Sequence, residues 1–432
     1  MKVKIIGAGL AGCEAALYLA RRGVQVELYD IKPNGFTPAH SDKNFCELVC
    51  SNSLKSNDIY GNACGLLKEE MRILGSRVIA AADKTQVPAG GALAVDREQF
   101  AAAVTDEIKS NKNITVICAE VGDIPEQNAI VATGPLTAGK LYESIKSLCG
   151  GGLHFYDASA PIVSRESIDF EKCFYGDRYG KGGDDYINCP LNKDEYESFV
   201  TELTGAERVI LKDFEKREIF EGCMPVEVLA SRGKDSLRFA MLKPVGLTDK
   251  DGNKFYAVLQ LRKENADGTA YNLVGFQTNL KFGEQKRVFS MIPALRNAEF
   301  LRYGVMHRNT YLNAPECLNA DFSLKSNGTV FFAGQITGVE GYVESAASGL
   351  MAAIHLYNKL SGKEVVVPDT TTVLGALSAH ISAANADFQP MNANFGILQP
   401  LDIHIRDKKQ RYENLAKRSL QSIRDYKQSM NI

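Results

Sequence analysis

The chain has no tryptophan, no Cys-x-x-Cys pair, no long apolar run and almost no net charge. Each absence removes a class of function. Without Cys-x-x-Cys spacing the ten cysteines do not group as zinc ligands: Cys46 and Cys50 stand four apart and Cys64 is remote. No metal is therefore expected. Without a run of about 20 apolar residues, no membrane-spanning helix is expected. Residues 1–6 go straight into a strand, which predicts no signal peptide, a cytoplasmic location and reduced thiols. A formal charge of -2 gives no overall pull toward nucleic acid, so any RNA contact must come from a local basic surface. The missing tryptophan removes one stacking platform, though 17 tyrosines and 20 phenylalanines leave others.

What is present starts with glycine. Strand-like Val3-Lys4-Ile5-Ile6 runs into Gly7-Ala8-Gly9-Leu10-Ala11-Gly12, then a helical stretch ending at Gly23, then Val24-Gln25-Val26-Glu27-Leu28-Tyr29 and Asp30. This is a whole βαβ dinucleotide fingerprint. Gly7 allows the tight turn, Gly9 the approach of a pyrophosphate, and Gly12 the close packing of helix on strand. The helix N-terminus offers unpaired N–H groups to phosphate. Asp30 stands eighteen residues beyond Gly12, where a carboxylate meets ribose hydroxyls. A fingerprint at the start of a long chain built around it favours resident FAD over a nicotinamide, and no separate nicotinamide motif is evident.

With 432 residues there is room for two domains. Helices are predicted over 65–75, 96–110, 193–203, 343–360 and 405–427, and strands over 113–120, 128–132 and 329–332. The strand ending in Ala132-Thr133-Gly134-Pro135 suits a return past FAD, which makes Gly134 a contact. Glycine-rich residues 176–183 read as a linker or loop. Beyond it, β-like runs at 237–242, 254–261 and 271–275, with an Asp251-Gly252 hairpin turn, predict an inserted α+β domain. The expected fold is α/β: a discontinuous Rossmann-like FAD-binding domain (1–185 and 301–432) with an α+β insertion (186–300). Near the end, Phe332-Ala333-Gly334-Gln335 and the glycines Gly338 and Gly341 precede a helix of small residues. Such a unit brings a helix N-terminus to the flavin or its pyrophosphate, with Gly334, Gln335, Gly338, Glu340 and Gly341 as contacts.

Two thiols lie in turn-rich settings, Cys50 before Ser51-Asn52-Ser53, and Cys223 between Gly222 and Met224-Pro225. A nucleophilic thiolate needs access and a depressed pKa. Two basic stretches stand out. The helix over 405–427 reads equally well as a solvated face or a phosphate contact. Lys281, Lys286, Arg287, Arg296, Arg302 and Arg308 have aromatics among them, and Arg287, Arg296, Arg302 and Arg308 are the candidate phosphate contacts.

Taken together, Gly7 to Gly12, Thr37-Pro38-Ala39-His40, Cys50-Ser51-Asn52-Ser53, Ala132-Thr133-Gly134-Pro135, Gly222-Cys223-Met224-Pro225, Met306-His307-Arg308-Asn309 and residues 332–342 resemble the folate- and FAD-dependent tRNA (uracil-5-)-methyltransferases of bacteria. The resemblance spans nearly the whole chain. Flavoproteins that install carboxymethylaminomethyl groups on wobble uridine share the FAD motifs but are longer. The resemblance implies 5,10-methylenetetrahydrofolate as one-carbon donor, FAD as carrier and reductant, NAD(P)H to reload it, and 5-methyluridine at position 54 of the tRNA T-loop as product. Uracil C5 becomes nucleophilic once a thiolate adds at C6. On this basis Cys223 is the expected C6 nucleophile, Cys50 the base that takes the C5 proton, and His307 a ring that stacks on the pterin. Glu340 and Tyr342 become flavin-site neighbours, and Arg97 a contact to the cofactor or a salt-bridge partner. The T-loop uridine has to leave its stack to react. The same chemistry on a 23S rRNA uridine, a flavin-binding RNA-modification scaffold without methyl transfer, and a small-molecule flavin oxidoreductase are the alternatives; oligomeric state is left open.

Overall fold

The computed structural model describes residues 1–149, 152–180, 183–209, 224–385 and 388–432, without the side chains of 152, 153, 155–157, 307 and 308. The first part of the chain forms β1 (Lys2–Ile6), α1 (Leu10–Arg21), β2 (Gln25–Asp30), β3 (Ser53–Ser56), α2 (Ala63–Leu74), α3 (Arg77–Lys84), β4 (Gln86–Val87), β5 (Ala92–Val95), α4 (Arg97–Ser110), β6 (Ile114–Cys118), β7 (Ala129–Val131) and α5 (Gly139–Cys149). The middle contributes β8 (Gly152–Ala158), β9 (Ile162–Ser164), β10 (Phe174–Tyr175), β11 (Tyr186–Leu191), α6 (Lys193–Gly205), α7 (Val226–Ala230), α8 (Ser236–Phe239), β12 (Ala257–Lys263), β13 (Ala270–Leu273), α9 (Phe282–Phe289) and β14 (Phe300–Arg302). The last part adds β15 (Met306–Leu312), α10 (Ala314–Cys317), β16 (Val330–Phe332), α11 (Tyr342–Leu360), α12 (Val373–Ser382) and α13 (Lys408–Met430).

A parallel five-stranded sheet, ordered β16-β7-β1-β2-β6, carries the first core. Strand order reverses at β1, so the crevice beyond its carboxyl end, where Gly7 begins, is where such sheets bind ligands. Every residue of α1 from Leu10 to Ala20 is buried, because α11 covers the side of α1 that the sheet does not. Glycine makes that crossing possible: a Cβ on Gly349 would lie 2.2 Å from the Ala11 carbonyl oxygen.

A second sheet is antiparallel, in the order β10-β11-β12-β13-β9-β14. With α6, α7 and α9 it encloses a separate core around Tyr196, Phe199, Tyr271, Phe276 and Phe289. The chain enters through β8 and returns through β15, which pair antiparallel over their whole lengths. The sheet's strands run from Ile162 to Arg302.

Two local expectations change. Residues 237–242 are not a strand: Ser236–Phe239 is a short helix with Leu237 buried and Phe239 81% exposed, and Leu242, in the turn that follows, is buried too. The Arg238 guanidinium lies 3.6 Å over the Tyr256 ring and holds this turn against the sheet. Asp249–Asn253 does turn, with Gly252 at φ 79° and the Asp249 carboxylate accepting from the Asp251 and Asn253 amides. It does not form a hairpin, because β12 pairs with β11 and β13 instead. Of residues 176–183, 181 and 182 lie outside the described residues; the rest stand between the paired strands β10 and β11, with the Gly176 amide on the Tyr186 carbonyl, which agrees with the loop of the two alternatives.

Candidate active site

The glycine loop after β1 has the shape the sequence implies, for reasons that differ at each position. Gly7 has φ 99°, and a Cβ there would come within 2.5 Å of the Ala132 carbonyl oxygen. A Cβ on Gly12 would lie 1.8 Å from the Gly7 carbonyl oxygen. Gly9 is different, since a Cβ there meets nothing within 4 Å, and it caps α1 without a side-chain bond. That open backbone, beside the free N–H groups of the helix start, fits a pyrophosphate. Asp30 closes the floor: its Oδ2 accepts from the Ala8 amide at 2.6 Å and its Oδ1 from the Lys32 amide at 2.9 Å. A carboxylate has four acceptor positions, so capacity remains for a ribose.

The second side of the crevice comes from the ends of β7 and β16. Gly134 has φ 73° and open space where a Cβ would stand. Gly334 has φ 86°, lies against Ala11, and donates its amide to the Ser348 hydroxyl at 2.7 Å. Gly338 and Gly341 also have positive φ. Between them the buried Glu340 carboxylate accepts from the Gln335 amide group, and its backbone N–H from the chain is given to the Met391 carbonyl. Tyr342 then opens α11.

Tyr342 is also what ties this unit to Cys50. Its hydroxyl oxygen lies 2.9 Å from Cys50 Sγ and accepts from the Cys50 amide at 2.8 Å and the Ser51 amide at 3.4 Å. With two N–H groups on its oxygen, the hydroxyl directs its own hydrogen at the sulfur. Burial, then the neighbouring thiol, hold the Tyr342 phenol well above its ordinary range, so that hydrogen stays in place. Arg97, at the start of α4, stands near enough to interact electrostatically with both groups. Burial opposes its charge, but Glu264, Tyr342 and Cys50 together raise its pKa. Its guanidinium also donates to the Leu48 carbonyl and pairs with Glu264 at 2.9 Å. A donor hydrogen and a nearby cation are what stabilise a thiolate.

The residues after Cys50 join a small antiparallel sheet, ordered β3-β5-β4, to β12 of the second sheet. Asn52 is fully buried, donates to the Val95 and Lys263 carbonyls, and accepts from Arg262 Nε at 3.0 Å. Arg262 Nη2 reaches the Ser51 hydroxyl at 2.8 Å. The Cys50 loop is thus held from β5 and from β12 at once.

Comparison with known proteins agrees with this arrangement. Residues 2–364 match the family described as glucose inhibited division protein A. A curated relative from Acetivibrio thermocellus is 56% identical over 428 residues, covering 98% of each chain, and one from Bacillus subtilis is 53% identical, covering 98% of this chain and 97% of its own. Both are named methylenetetrahydrofolate--tRNA-(uracil-5-)-methyltransferase TrmFO. The chain belongs to the TrmFO methyltransferase family. The solved structure of Aquifex aeolicus GidA superposes with a TM-score of 0.70 at 15% identity, over 100% of this chain and 75% of that one, and so shares the fold.

Of the residues expected in this TrmFO family member's site, Gly7, Gly9 and Gly12 follow β1, Asp30 ends β2, Gly134 and Gly334 stand just beyond β7 and β16, and Gly338, Glu340 and Gly341 lie in the unit that leads to Tyr342, which contacts Cys50. Cys223 lies outside the described residues. The chain just beyond it is firmly placed: the Val226 amide donates to the Gln277 carbonyl, and the buried Glu227 accepts from Thr278 and Asn279. The backbones of His307 and Arg308 lie on β15 opposite Asp157 and Tyr156. Arg287 is exposed and paired with Glu202 and Glu284, and Arg296 is exposed. Arg302 is half-buried instead; burial lowers its pKa first, and Arg97 lowers it further.

Sequence reasoning missed a polar cluster beside Asp30. Lys32 and Glu47 form a buried ion pair at 2.8 Å, and Glu47 also accepts from the Ser41 and Asp42 amides. Burial alone would raise the Glu47 pKa, but Lys32 and the Ser41 amide bring it below the usual value. His40 bonds Thr37 through Nδ1 at 2.5 Å and has a lowered pKa, from burial first and then Lys32. The Thr37-Pro38-Ala39-His40 string was visible, but nothing in it announced a partner at Glu47. Among the described residues no cluster of three or more His, Cys, Asp or Glu is placed to hold a metal, and no helix is long and apolar enough to cross a membrane.

Proposed function

We propose that this protein methylates uracil C5 in tRNA, using 5,10-methylenetetrahydrofolate and FAD. The observation that carries the reading is Cys50 Sγ held by Tyr342, the first residue of the helix that follows the second glycine unit of the dinucleotide crevice. It is joined by more than 50% identity to named methyltransferases over nearly the whole chain. FAD, when bound, supplies the site for the one-carbon unit and the reducing equivalents.

The finer assignments are our own. Gly7, Ala8, Gly9, Leu10, Ala11, Gly12 and Asp30 hold the adenosine diphosphate part of FAD, and Gly134, Gly334, Gln335, Gly338, Glu340 and Gly341 its flavin side. Cys223 adds to uracil C6, which makes C5 nucleophilic. Cys50, as thiolate, takes the proton that C5 loses after the new carbon–carbon bond forms. Tyr342 and Arg97 stand where they stabilise negative charge on the Cys50 sulfur. Once the new carbon is freed from its carrier and turned into methyl by the reducing equivalents that bound FAD would supply, elimination of the Cys223 thiolate from C6 restores the uracil ring. His307 stacks on the folate pterin, and Arg287, Arg296, Arg302 and Arg308 meet RNA phosphates. NAD(P)H reloads the flavin, uridine 54 of the T-loop is the target, and the protein works in the cytoplasm. We read the chain as a discontinuous unit, 1–185 and 301–432, with an α+β insertion at 186–300; the antiparallel sheet supports an insertion but draws β9, β10 and the end of β14 from outside those bounds.

The test is direct. Purified protein is incubated with methylenetetrahydrofolate, NADPH and an unmodified tRNA transcript, and the digested RNA is weighed for 5-methyluridine. Product on tRNA supports the reading. Product on a 23S rRNA transcript but not on tRNA moves the substrate to rRNA, and none on either leaves a scaffold.

A further inference from the structure

Three aromatic rings stand in a near-parallel stack on the outer side of the second domain. Tyr303 lies 5.0 Å from Phe282 at 15° and 5.3 Å from Phe300 at 8°. Phe282, the first residue of α9, is 54% exposed, and so is Leu301 beside the stack. Large apolar side chains grouped on a surface mark a contact site more often than scattered ones do.

This stack is built rather than incidental. Gln285, one turn along α9 from Phe282, is fully buried. It donates to the Gly304 carbonyl at 2.8 Å and accepts from the Gly304 amide at 2.8 Å. A Cβ on Gly304 would lie 2.5 Å from the Ser159 carbonyl oxygen and 2.7 Å from Thr278 Cγ2. The segment bearing Tyr303 is therefore clamped to the helix bearing Phe282, and the rings hold their spacing without a ligand. Gln285 is a positioning residue for the stack.

The stack also leads somewhere. Arg302, between Phe300 and Tyr303, is half-buried and feels the charges of Arg97 and Tyr342, which stand about Cys50, and of Glu47, in the cluster beside Asp30. On the outer side Lys286 and Arg296 are exposed. Lys281 and Arg287 are exposed too, paired with Glu207 and with Glu202 and Glu284. Surface ion pairs of this kind are weak and exchange readily for a phosphate partner.

We propose that Phe282, Tyr303 and Phe300 form a stacking platform for the unpaired bases next to the target uracil, a function that rests on the RNA-methyltransferase reading. Fixed aromatic faces bind bases regardless of sequence, and cations beside them follow the backbone. A uracil drawn out of its loop leaves its neighbours unstacked, and the platform takes their place against them.

The test uses the full-length, FAD-loaded protein and its Phe282→Leu, Tyr303→Leu and Phe282→Tyr variants. Phe282→Leu and Tyr303→Leu should each raise KM for the tRNA transcript about tenfold, the size of one lost base stack. KM for methylenetetrahydrofolate and the flavin absorbance should not move, and Phe282→Tyr should keep the wild-type KM. Phe282 is exposed, so its loss leaves the core intact. A raised folate KM with an unchanged tRNA KM would assign the stack to the pterin and overturn the platform. Anisotropy of a labelled T-arm hairpin separates the two readings. Equal Kd for wild type and Phe282→Leu overturns the platform even where methylation occurs. A tenfold gap in Kd without product on any RNA supports the platform and removes the methyltransferase reading.

Discussion

At the scale of single residues the site depends on one hydroxyl. Tyr342 Oη accepts two amides and gives its hydrogen to Cys50 Sγ. Tyr342→Phe removes that hydrogen and leaves both amides without an acceptor. A hydrogen bond to a charged group is worth about 1.5–3 kcal/mol, so methylation at neutral pH should fall roughly 10- to 100-fold. Alkylation of Cys50 by iodoacetamide, followed by peptide mass, should shift to higher pH in this variant. An unshifted profile would mean that Arg97 alone sets the thiolate. The glycines make a second contrast. Gly12→Ala places a Cβ 1.8 Å from the Gly7 carbonyl oxygen, whereas Gly9→Ala meets nothing. Gly12→Ala should therefore lower Tm and purify colourless. Gly9→Ala should keep the Tm of the flavin-free protein and lose only flavin affinity, read by titration with FAD.

The glycine positions were legible because their spacing reports backbone needs that no other residue meets. The link from Cys50 to Tyr342 was not, since 292 residues separate the partners and neither string encodes the other. Asn52 is similar: a small polar residue after a cysteine reads as a turn, yet it is the fully buried joint between two sheets.

Among the elements, long helices with clear caps were readable. Asp96 caps α4, Asn62 and Gly75 bound α2, and Asp407 caps α13. Short strands were not: β9, β10 and β14 have two or three residues each, too few to show a period. Residues 237–242 show the opposite error, where one buried leucine in a helical turn and another just after it imitate a strand. The elements are further joined by a device that no local pattern announces. A buried glutamate of one helix accepts the first amides of another. Glu14 of α1 takes the Arg77 and Val78 amides of α3, and Glu70 of α2 takes the Val373 and Leu374 amides of α12. Glu70 also receives the Ser419 hydroxyl, which ties α13 to the same point.

That device makes stability depend on pH. Burial pushes the Glu70 pKa up to about 7, with Ser419 and the two amides opposing it. The folded state thus binds this proton more tightly than the unfolded chain does. The resulting stability is fully present below the unfolded carboxyl pKa and is lost as pH rises through about 7. Tm should fall from pH 5.5 to pH 8, and Glu70→Gln should flatten the slope. It should not abolish it, because Glu14 and Glu227 are also raised by burial. An identical slope in Glu70→Gln would show that Glu70 is ionised throughout.

For the whole molecule, an antiparallel domain is hung from a parallel one by the paired strands β8 and β15, and the Cys50 loop is pinned at the seam. Arg262 and Lys263 of β12 hold Ser51 and Asn52, while Glu264 holds Arg97. The fold class was visible from the fingerprint and the late glycine unit; the seam was not, because it is made of contacts between residues about 210 apart. The basic C-terminal helix is more occupied than its composition suggests. Lys417 pairs with Glu413, Arg418 donates to the Pro400 carbonyl, and Lys427 to the Ile73 carbonyl. The Arg418 and Lys427 contacts hold α13 against the domain, and the second basic stretch, with its aromatic stack, is left as the better-placed RNA surface.

The measurement that bears most directly on uracil C5 chemistry at Cys50 is tritium release. A tRNA transcript carrying 5-tritiated uridine is incubated with the FAD-loaded protein, methylenetetrahydrofolate and NADPH, beside the Cys50→Ala variant. Wild type should release tritium to water in step with methyl incorporation, and Cys50→Ala should release almost none while keeping its flavin. Release by Cys50→Ala at the wild-type rate, or none from wild type, would contradict the account.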